Sequence, residues 1–380
     1  MERHDFTPQE LERYQRHLGL AGFGTEAQHR LKEATVLVVG AGGLSCPALL
    51  YLAAAGVGEI RVIDFDRVER SNLQRQVLFT EQDVGRPKAE AAAERLLALN
   101  PLIAVEGLVA RLTRDNAMEL VRSVDLVVDG SDNFETRYLV NDACVLADRP
   151  FVYGAIQGFE GQLSVFNLKG GPTYRCLFAE PPEPGTVPNC AEAGVLGVLP
   201  GLIGTAQATE AIKVLAGIGQ PLSGRLLLFD ALTMKTQILT LTADPRSREI
   251  TELPPAGYGS VCEAPSPHTP HWEGEPPREV DAEWLRGHLE DGRLQLLDVR
   301  EDWERMMGAI KPSRHIPLGA LEFGEAEAEV KAMDPAAPTI VYCAAGVRSL
   351  RAAEILRERH GFKAAASLRG GYRDWTRSRP

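Results

Sequence analysis

An α/β fold is predicted: a parallel, doubly wound sheet over residues 1–253, a Pro-rich linker over 254–277, and a smaller α/β domain over 278–380. Three observations lead there. Short apolar runs alternate with helical segments, the pattern of strands joined through helices. A Gly-rich turn, Gly40-Ala41-Gly42-Gly43-Leu44-Ser45, links the first apolar run to a helix. Between the two domains, Pro254, Pro255, Pro265, Pro267, Pro270, Pro276 and Pro277 stand among Gly, Ser and His, the composition of an extended linker.

Each element has a local reason. Residues 7–34 read as helical, opened by Thr7-Pro8-Gln9-Glu10 as a capping box. Thr35 to Val39 is an apolar run suited to a buried strand, and Cys46 to Ala55 is a helix of small residues. Glu59 to Asp64 is the next strand. Lys88 to Leu99, rich in Ala, Leu and Glu, is a helix stopped by Asn100-Pro101. Val124 to Asp129 is a further strand that runs into Asp129-Gly130-Ser131-Asp132-Asn133. Residues 151–167 and 225–242 read as strands, the second alternating well enough for an antiparallel pair. Leu199 to Ile218 between them is a long helix. Past the linker come a helix (Asp281–Glu290), strands Leu294–Val299 and Thr339–Cys343, and a helix (Arg348–His360), a unit of roughly 100 residues, a common domain size.

The 380 residues carry a formal net charge of −11. Net acidity argues against general binding to nucleic acid or to an anionic membrane. No apolar run is long enough to span a bilayer, and Met1-Glu2-Arg3-His4-Asp5 lacks the pattern of a secretory signal. The cysteines are scattered rather than arranged as a disulfide framework, so a cytoplasmic protein with available thiols is expected.

The turn Gly40-x-Gly42-Gly43-x-Ser45 lets backbone approach phosphate, and the helix that follows favours negative charge at its start. Asp64, at the end of the second strand, is placed to hold ribose hydroxyls. Up to that point an NAD-binding dehydrogenase fits equally well. The next residues fit a triphosphate with magnesium better. Cations are needed to bind the phosphates and to stabilise departing pyrophosphate. Arg75 and Lys88 are placed for that, with Asn72 and Gln74 as neutral donors. Asp132, at the C-terminal edge of the sheet, can hold magnesium. Taken singly, Arg75 and Lys88 also fit solvated charges, and Asp132 the N-cap of the next helix.

The full set of motifs is narrower than either alternative. Arg13-Tyr14-Gln15-Arg16, Gly40-x-Gly42-Gly43-Leu44, Asp64-Phe65-Asp66, Ser71-Asn72-Leu73-Gln74-Arg75-Gln76, Gly85-x-Pro87-Lys88, Asp132-Asn133-x-x-x-Arg137 and Glu192-Ala193-Gly194-Val195 occur in this order. Residues 10–250 thereby resemble the sulfur-carrier adenylyltransferases of the MoeB/ThiF type, whose fold is the Rossmann-like sheet of ubiquitin-activating enzymes. The resemblance implies an ATP site at Gly40, Gly42, Gly43, Asp64, Asp66, Ser71, Asn72, Gln74, Arg75, Lys88, Asp132 and Asn133. It also implies a homodimer in which Arg16 reaches the phosphates of the other subunit. The implied substrate is a small ubiquitin-like sulfur carrier ending in Gly-Gly, whose carboxylate attacks the α-phosphate to give an acyl-adenylate. A second possibility within the same resemblance is a carrier thioester formed for conjugation to proteins.

The cysteines divide by context. Cys190, in Val187-Pro188-Asn189-Cys190-Ala191-Glu192, sits in a loop-like segment where a thiol can be reached. In the family this position is a reactive cysteine; the alternative is an inert, partly buried one. Zinc-containing relatives carry two C-x-x-C pairs, the usual thiolate site. Here these are reduced to Thr173-Tyr174-Arg175-Cys176 and Cys262-Glu263-Ala264-Pro265, so no zinc is expected. Cys46 and Cys144 lie in apolar helices and read as core.

Cys343 ends an apolar strand and is followed by Ala344-Ala345-Gly346-Val347-Arg348 and a helix. Backbone N–H groups and a helix start at such a junction stabilise a thiolate or a persulfide, and Arg348 adds positive charge. A tyrosine-phosphatase loop would need its Arg one residue further on, where Ser349 stands. With Leu297-Asp298-Val299-Arg300-Glu301, His315-Ile316-Pro317-Leu318-Gly319-Ala320 and Gly370-Gly371-Tyr372-Arg373-Asp374-Trp375, residues 278–380 resemble a single rhodanese domain. That resemblance implies sulfur carried as a Cys343 persulfide, charged by a cysteine desulfurase or thiosulfate, with Asp298 and Arg300 as a structural ion pair.

Overall fold

The structure, a computed structural model, describes residues 6–181, 194–254, 258, 278–289 and 294–377. The chain divides into two compact units, Met1–Cys262 and Glu263–Pro380.

The first unit opens with α1 (Pro8–Leu18) and its capping box: the Glu10 N–H donates to Thr7 Oγ1 at 3.2 Å and the Thr7 N–H to the Glu10 carboxylate at 2.7 Å. The segment expected as one helical stretch is two helices. α1 stops at Gly19 and α2 runs Gly24–Glu33. Gly22 and Gly24 turn the chain between them at φ of +82° and +68°, a region open to glycine. Then come β1 (Thr35–Val39), α3 (Ser45–Ala55), β2 (Glu59–Ile63), α4 (Lys88–Leu99), β3 (Ala104–Leu108), α5 (Arg114–Arg122), β4 (Leu126–Asp129), α6 (Phe134–Ala147), β5 (Phe151–Gln157), β6 (Glu160–Phe166), α7 (Leu199–Ala216), β7 (Arg225–Asp230) and β8 (Lys235–Thr240).

The strands form one sheet in the order β3-β2-β1-β4-β5-β6-β7-β8. β1 to β5 pair in parallel. From β5 onward the pairing is antiparallel, so the sheet is parallel-dominated and mixed. The stretch 151–167 is accordingly a hairpin rather than one strand. Its two-residue turn places Gly158 at φ +57°, in keeping with the turn geometry hairpins favour. Successive β1 residues point to opposite faces. Val36 and Val38 join Leu49 and Leu52 of α3 and Ala208 of α7 in one core, while Leu37 and Val39 join Val121 and Tyr138 in the other. Cover on both faces is why β1 reads as an unbroken apolar run.

The second unit consists of β9 (Glu279–Val280), α8 (Ala282–His288), β10 (Gln295–Asp298), α9 (Asp302–Met306), β11 (Arg314–His315), α10 (Leu318–Glu322), α11 (Glu327–Lys331), β12 (Thr339–Tyr342), α12 (Val347–His360), β13 (Ala365–Leu368) and α13 (Gly371–Arg377). Its five strands are all parallel, in the order β11-β10-β12-β13-β9. At the end of β10 the fully buried Asp298 accepts from Arg300 Nε at 2.9 Å and Nη2 at 2.8 Å, and from the Tyr342 hydroxyl at 2.8 Å. The Arg300 guanidinium also lies 4.2 Å from the Tyr372 ring centroid. No helix among the described residues is long and apolar enough to cross a membrane.

Candidate active site

In the first unit β2 and β3 lie on one side of β1, and β4 and β5 on the other. Connections leaving β1 in one direction and returning in the other open a crevice at the strand ends, where ligands of such sheets bind. A cleft lies there. It is lined by Gly40, Gly42 and Gly43 after β1, Asp64 to Asp66 after β2, Ala110 to Leu112 after β3, and Gly130 to Asn133 after β4. Arg75, Gln76, Lys88 and Arg137 also line it.

The glycines are required by close approach. Gly40 has φ +83°, and a Cβ there would stand 3.3 Å from the Gly130 carbonyl oxygen. A Cβ on Gly43 would meet Pro200 at 3.2 Å and Arg75 Cγ at 3.4 Å. α3 starts directly after this turn with no side-chain cap. The Cys46 N–H donates to the Gly42 carbonyl at 3.0 Å, and no side chain occupies the helix start, where an anion is favoured.

Asp64 is set before any ligand arrives. The Ala41 N–H donates to its Oδ2 and the Asp66 N–H to its Oδ1, each at 2.7 Å. Burial nonetheless pushes the Asp64 carboxyl above its ordinary range, against those N–H groups and Lys88. Lys88, the buried first residue of α4, places Nζ 3.3 Å from Asp66 Oδ2. The N-cap of α6 is Asn133, whose Oδ1 accepts the Thr136 N–H at 2.9 Å, so the cap is not Asp132. Asp132 is exposed and faces the cleft.

Other sequence candidates stand apart from the cleft lining. Asn72 Oδ1 accepts the Glu69 N–H at 3.2 Å, and Gln74 packs against the backbone at Gly197, while Ser71 is exposed. Arg16 is exposed on α1 and is not among the lining residues. Several residues quoted in the motifs, but not assigned to the site, do reach it, Leu44, Phe65, Gln76, Arg137 and Val195 among them. Gln76 is buried in the lining, and Arg137 donates to the Ser131 carbonyl at 3.2 Å beneath the Asp132 turn. Phe65 and Arg111 form a further wall, the guanidinium 3.9 Å from the ring centroid.

Cys190 and Cys262 lie outside the described residues. Burial pushes the Cys46 thiol up to about 12 and the Cys144 thiol well above its usual range, the state of core cysteines. Cys176 differs. The Thr173 and Asp244 N–H groups each donate to its Sγ at 3.3 Å, and the Ser247 hydroxyl is 3.2 Å away. Burial raises this thiol, but the donors more than offset it and leave it below its ordinary range. Among the described residues, the groups facing Cys176 Sγ are thus Thr173, Asp244 and Ser247. Among the described residues no three His, Cys, Asp or Glu side chains gather as a metal site.

In the second unit, the buried Cys343 follows the end of β12. Its Sγ accepts the Gly346 N–H at 3.1 Å, and the Ser349 hydroxyl is 3.5 Å away. Gly346, at φ +103°, starts α12, again without a side-chain cap. The back of the loop is held by α13: Tyr372 N–H donates to the Cys343 carbonyl at 2.8 Å and Arg373 N–H to the Ala344 carbonyl at 3.0 Å. The Arg348 charge is not free. Its Nη1 and Nη2 donate to the two carboxylate oxygens of Glu304 at 2.8 and 2.6 Å, a partner the sequence did not reveal.

Comparison with known proteins agrees with both halves of this geometry. Residues 14–249 match the ThiF family, and residues 281–378 match the rhodanese-like domain. A probable adenylyltransferase/sulfurtransferase MoeZ of Mycobacterium tuberculosis is 45% identical over 374 residues, covering 97% of this chain and 93% of that protein. A sulfur carrier protein adenylyltransferase of Thermus thermophilus is 58% identical over 266 residues, covering 68% of this chain and 98% of its own length. Among solved structures, E. coli MccB in complex with MccA-N7isoASN superposes with a TM-score of 0.56 at 23% identity, covering 64% of this chain and 74% of that one, a likeness of fold.

Proposed function

Because this chain belongs to the ThiF family and carries a rhodanese-like domain behind it, we propose that it activates the C-terminal carboxylate of a small ubiquitin-like sulfur carrier with ATP and then converts it to a thiocarboxylate. The observation that carries this reading is the pairing, in one chain, of a nucleotide cleft at the β1/β4 crevice with a thiol cradled at a helix start.

ATP binds with its phosphates at the Gly40–Gly43 turn and the start of α3, and its ribose at Asp64. Lys88 and Arg75 stabilise charge on the leaving pyrophosphate, with Arg16 supplied by the second subunit of a homodimer. Magnesium enters with the nucleotide, and Asp132, exposed on the cleft, is the residue that would hold it. The carrier's terminal oxygen attacks the α-phosphorus. The new P–O bond gives the acyl-adenylate as the bond to pyrophosphate breaks.

Cys343 supplies sulfur as a persulfide formed from thiosulfate or from a cysteine desulfurase. Its outer sulfur attacks the acyl carbon, and AMP leaves with the C–O electron pair. Cys190 then attacks the resulting acyl disulfide and releases the thiocarboxylate. That step leaves a Cys343–Cys190 disulfide, which an external thiol reduces. Zinc is left out of this reading, because neither Thr173 nor Pro265 in the two reduced C-x-x-C pairs is a usual zinc ligand.

The test is intact mass spectrometry of Gly-Gly carriers incubated with the chain, Mg-ATP, thiosulfate and a thiol reductant. Exchange of one carrier oxygen for sulfur, dependent on ATP, is the expected result. AMP release without sulfur would refute the transfer step. A hydroxylamine-sensitive carrier–enzyme thioester as end product would instead favour conjugation.

A further inference from the structure

The Cys343 loop contains one polar group whose role the fold does not explain. Arg348 is anchored end-on to Glu304 through both terminal nitrogens, which leaves its Nε–H to point elsewhere. That Nε is buried and has no hydrogen-bond partner among the described residues. A buried donor left unpaired is unusual and calls for a missing partner. The inner sulfur already has a donor, the Gly346 N–H, while the Ser349 hydroxyl bonds the Gly346 carbonyl at 2.8 Å. A second sulfur bonded to it would carry most of the anionic charge and needs a donor of its own. Arg348 stands in the first turn of α12, two residues after Gly346, whose N–H meets the Cys343 sulfur.

Glu304 is itself held in place. Its Oε2 accepts the Glu301 N–H at 2.9 Å in the capping box that opens α9. Burial pushes its carboxyl up, but Arg348 and the Glu301 N–H more than offset this and keep it ionised. A bidentate guanidinium–carboxylate pair fixes the plane of both groups. We propose that Glu304 is a positioning residue for sulfur transfer, clamping Arg348 so that its buried Nε–H serves the outer sulfur of a Cys343 persulfide. The proposal rests on the reading that Cys343 carries sulfur.

The relevant step is balanced without an outside oxidant. The Cys343 thiolate attacks the outer sulfur of thiosulfate, an Sγ–S bond forms, the S–S bond of thiosulfate breaks, and sulfite departs with the electron pair. A donor specific to the outer sulfur shifts this equilibrium toward persulfide and leaves the bare thiol alone.

The full chain is therefore equilibrated at fixed thiosulfate-to-sulfite ratios, and Cys343 persulfide is measured against thiol by peptide-resolved mass spectrometry. Glu304→Gln disturbs the clamp. Arg348→Lys keeps a cation and the α9 cap but removes Nε. Both are expected to lower the persulfide-to-thiol ratio about tenfold, the size of one lost hydrogen bond to a charged group. The double variant should be no worse than the singles, as for residues acting through one contact. Alkylation of the unloaded Cys343 thiol by iodoacetamide should change by a much smaller factor, because Arg348→Lys keeps a cation at the loop. Ratios equal to wild type, or alkylation altered by the same factor, would overturn the proposal. Absence of persulfide in the wild-type chain would overturn the sulfur-carrying reading and this proposal with it.

Discussion

Single residues show how each site is prepared by its surroundings. Asp64 is anchored by two backbone N–H groups before a nucleotide arrives, so ligand binding need not order it. Asp298 shows the same preparation applied to stability. Burial drives its carboxyl up, but the Arg300 guanidinium, the Tyr342 hydroxyl and the Arg300 N–H hold it below its ordinary 3.8. A depressed carboxyl contributes stability above the unfolded value, and that stability disappears as pH falls through the lower folded value. Arg300→Ala should cost about 3–5 kcal/mol at neutral pH, the penalty of stranding one buried charge. The stranded carboxyl then titrates upward, so the gap between variant and wild type should narrow toward about pH 4. Urea midpoints of the second unit at the two pH values check this; a gap that is constant with pH would refute it.

At the scale of elements, α7 makes the close approach that backs the glycine turn. A Cβ on Gly204 would stand 2.0 Å from the Leu44 carbonyl oxygen and 2.7 Å from Pro47 Cγ. Gly204→Ala must therefore push α7 away from the start of α3. A loss of about 1–3 kcal/mol is expected, as for other overpacked sites, together with weaker ATP binding, measured by denaturation and by calorimetry. Elements also differ in how far the sequence announces them. β1 and α4 were legible to the residue, because an apolar run and a helix between strong boundary signals need no distant partner. β9 and β11 have two residues each, too short to show a period. The hairpin of β5 and β6 turns at Gly158-Phe159, and its strands, buried along most of their length, do not alternate visibly enough to be told apart. In the cleft, glycines and charges at strand ends were readable as a contiguous motif. Arg137 acts through the Ser131 carbonyl from within a helix, and Glu304 meets an Arg 44 residues away, so neither could be assigned from spacing.

For the whole molecule, the division into two compact units predicts separable half-reactions. Cys343→Ala should abolish thiocarboxylate formation while ATP–pyrophosphate exchange, driven by the carrier, proceeds at the wild-type rate. Loss of exchange in that variant would show that the adenylation step needs the loop intact. One feature of the second unit also bears on how the protein comes into being. The loop that presents Cys343 is bolted from behind by Tyr372 and Arg373 of α13. The ribosome completes the nucleotide-binding unit long before it reaches those residues. A nascent or prematurely terminated chain would thus be able to hold ATP while its sulfur-bearing loop still lacked a backing. Translation itself imposes an order on the two chemistries, and a chain that lacked α13 would spend nucleotide without a backed loop to deliver sulfur.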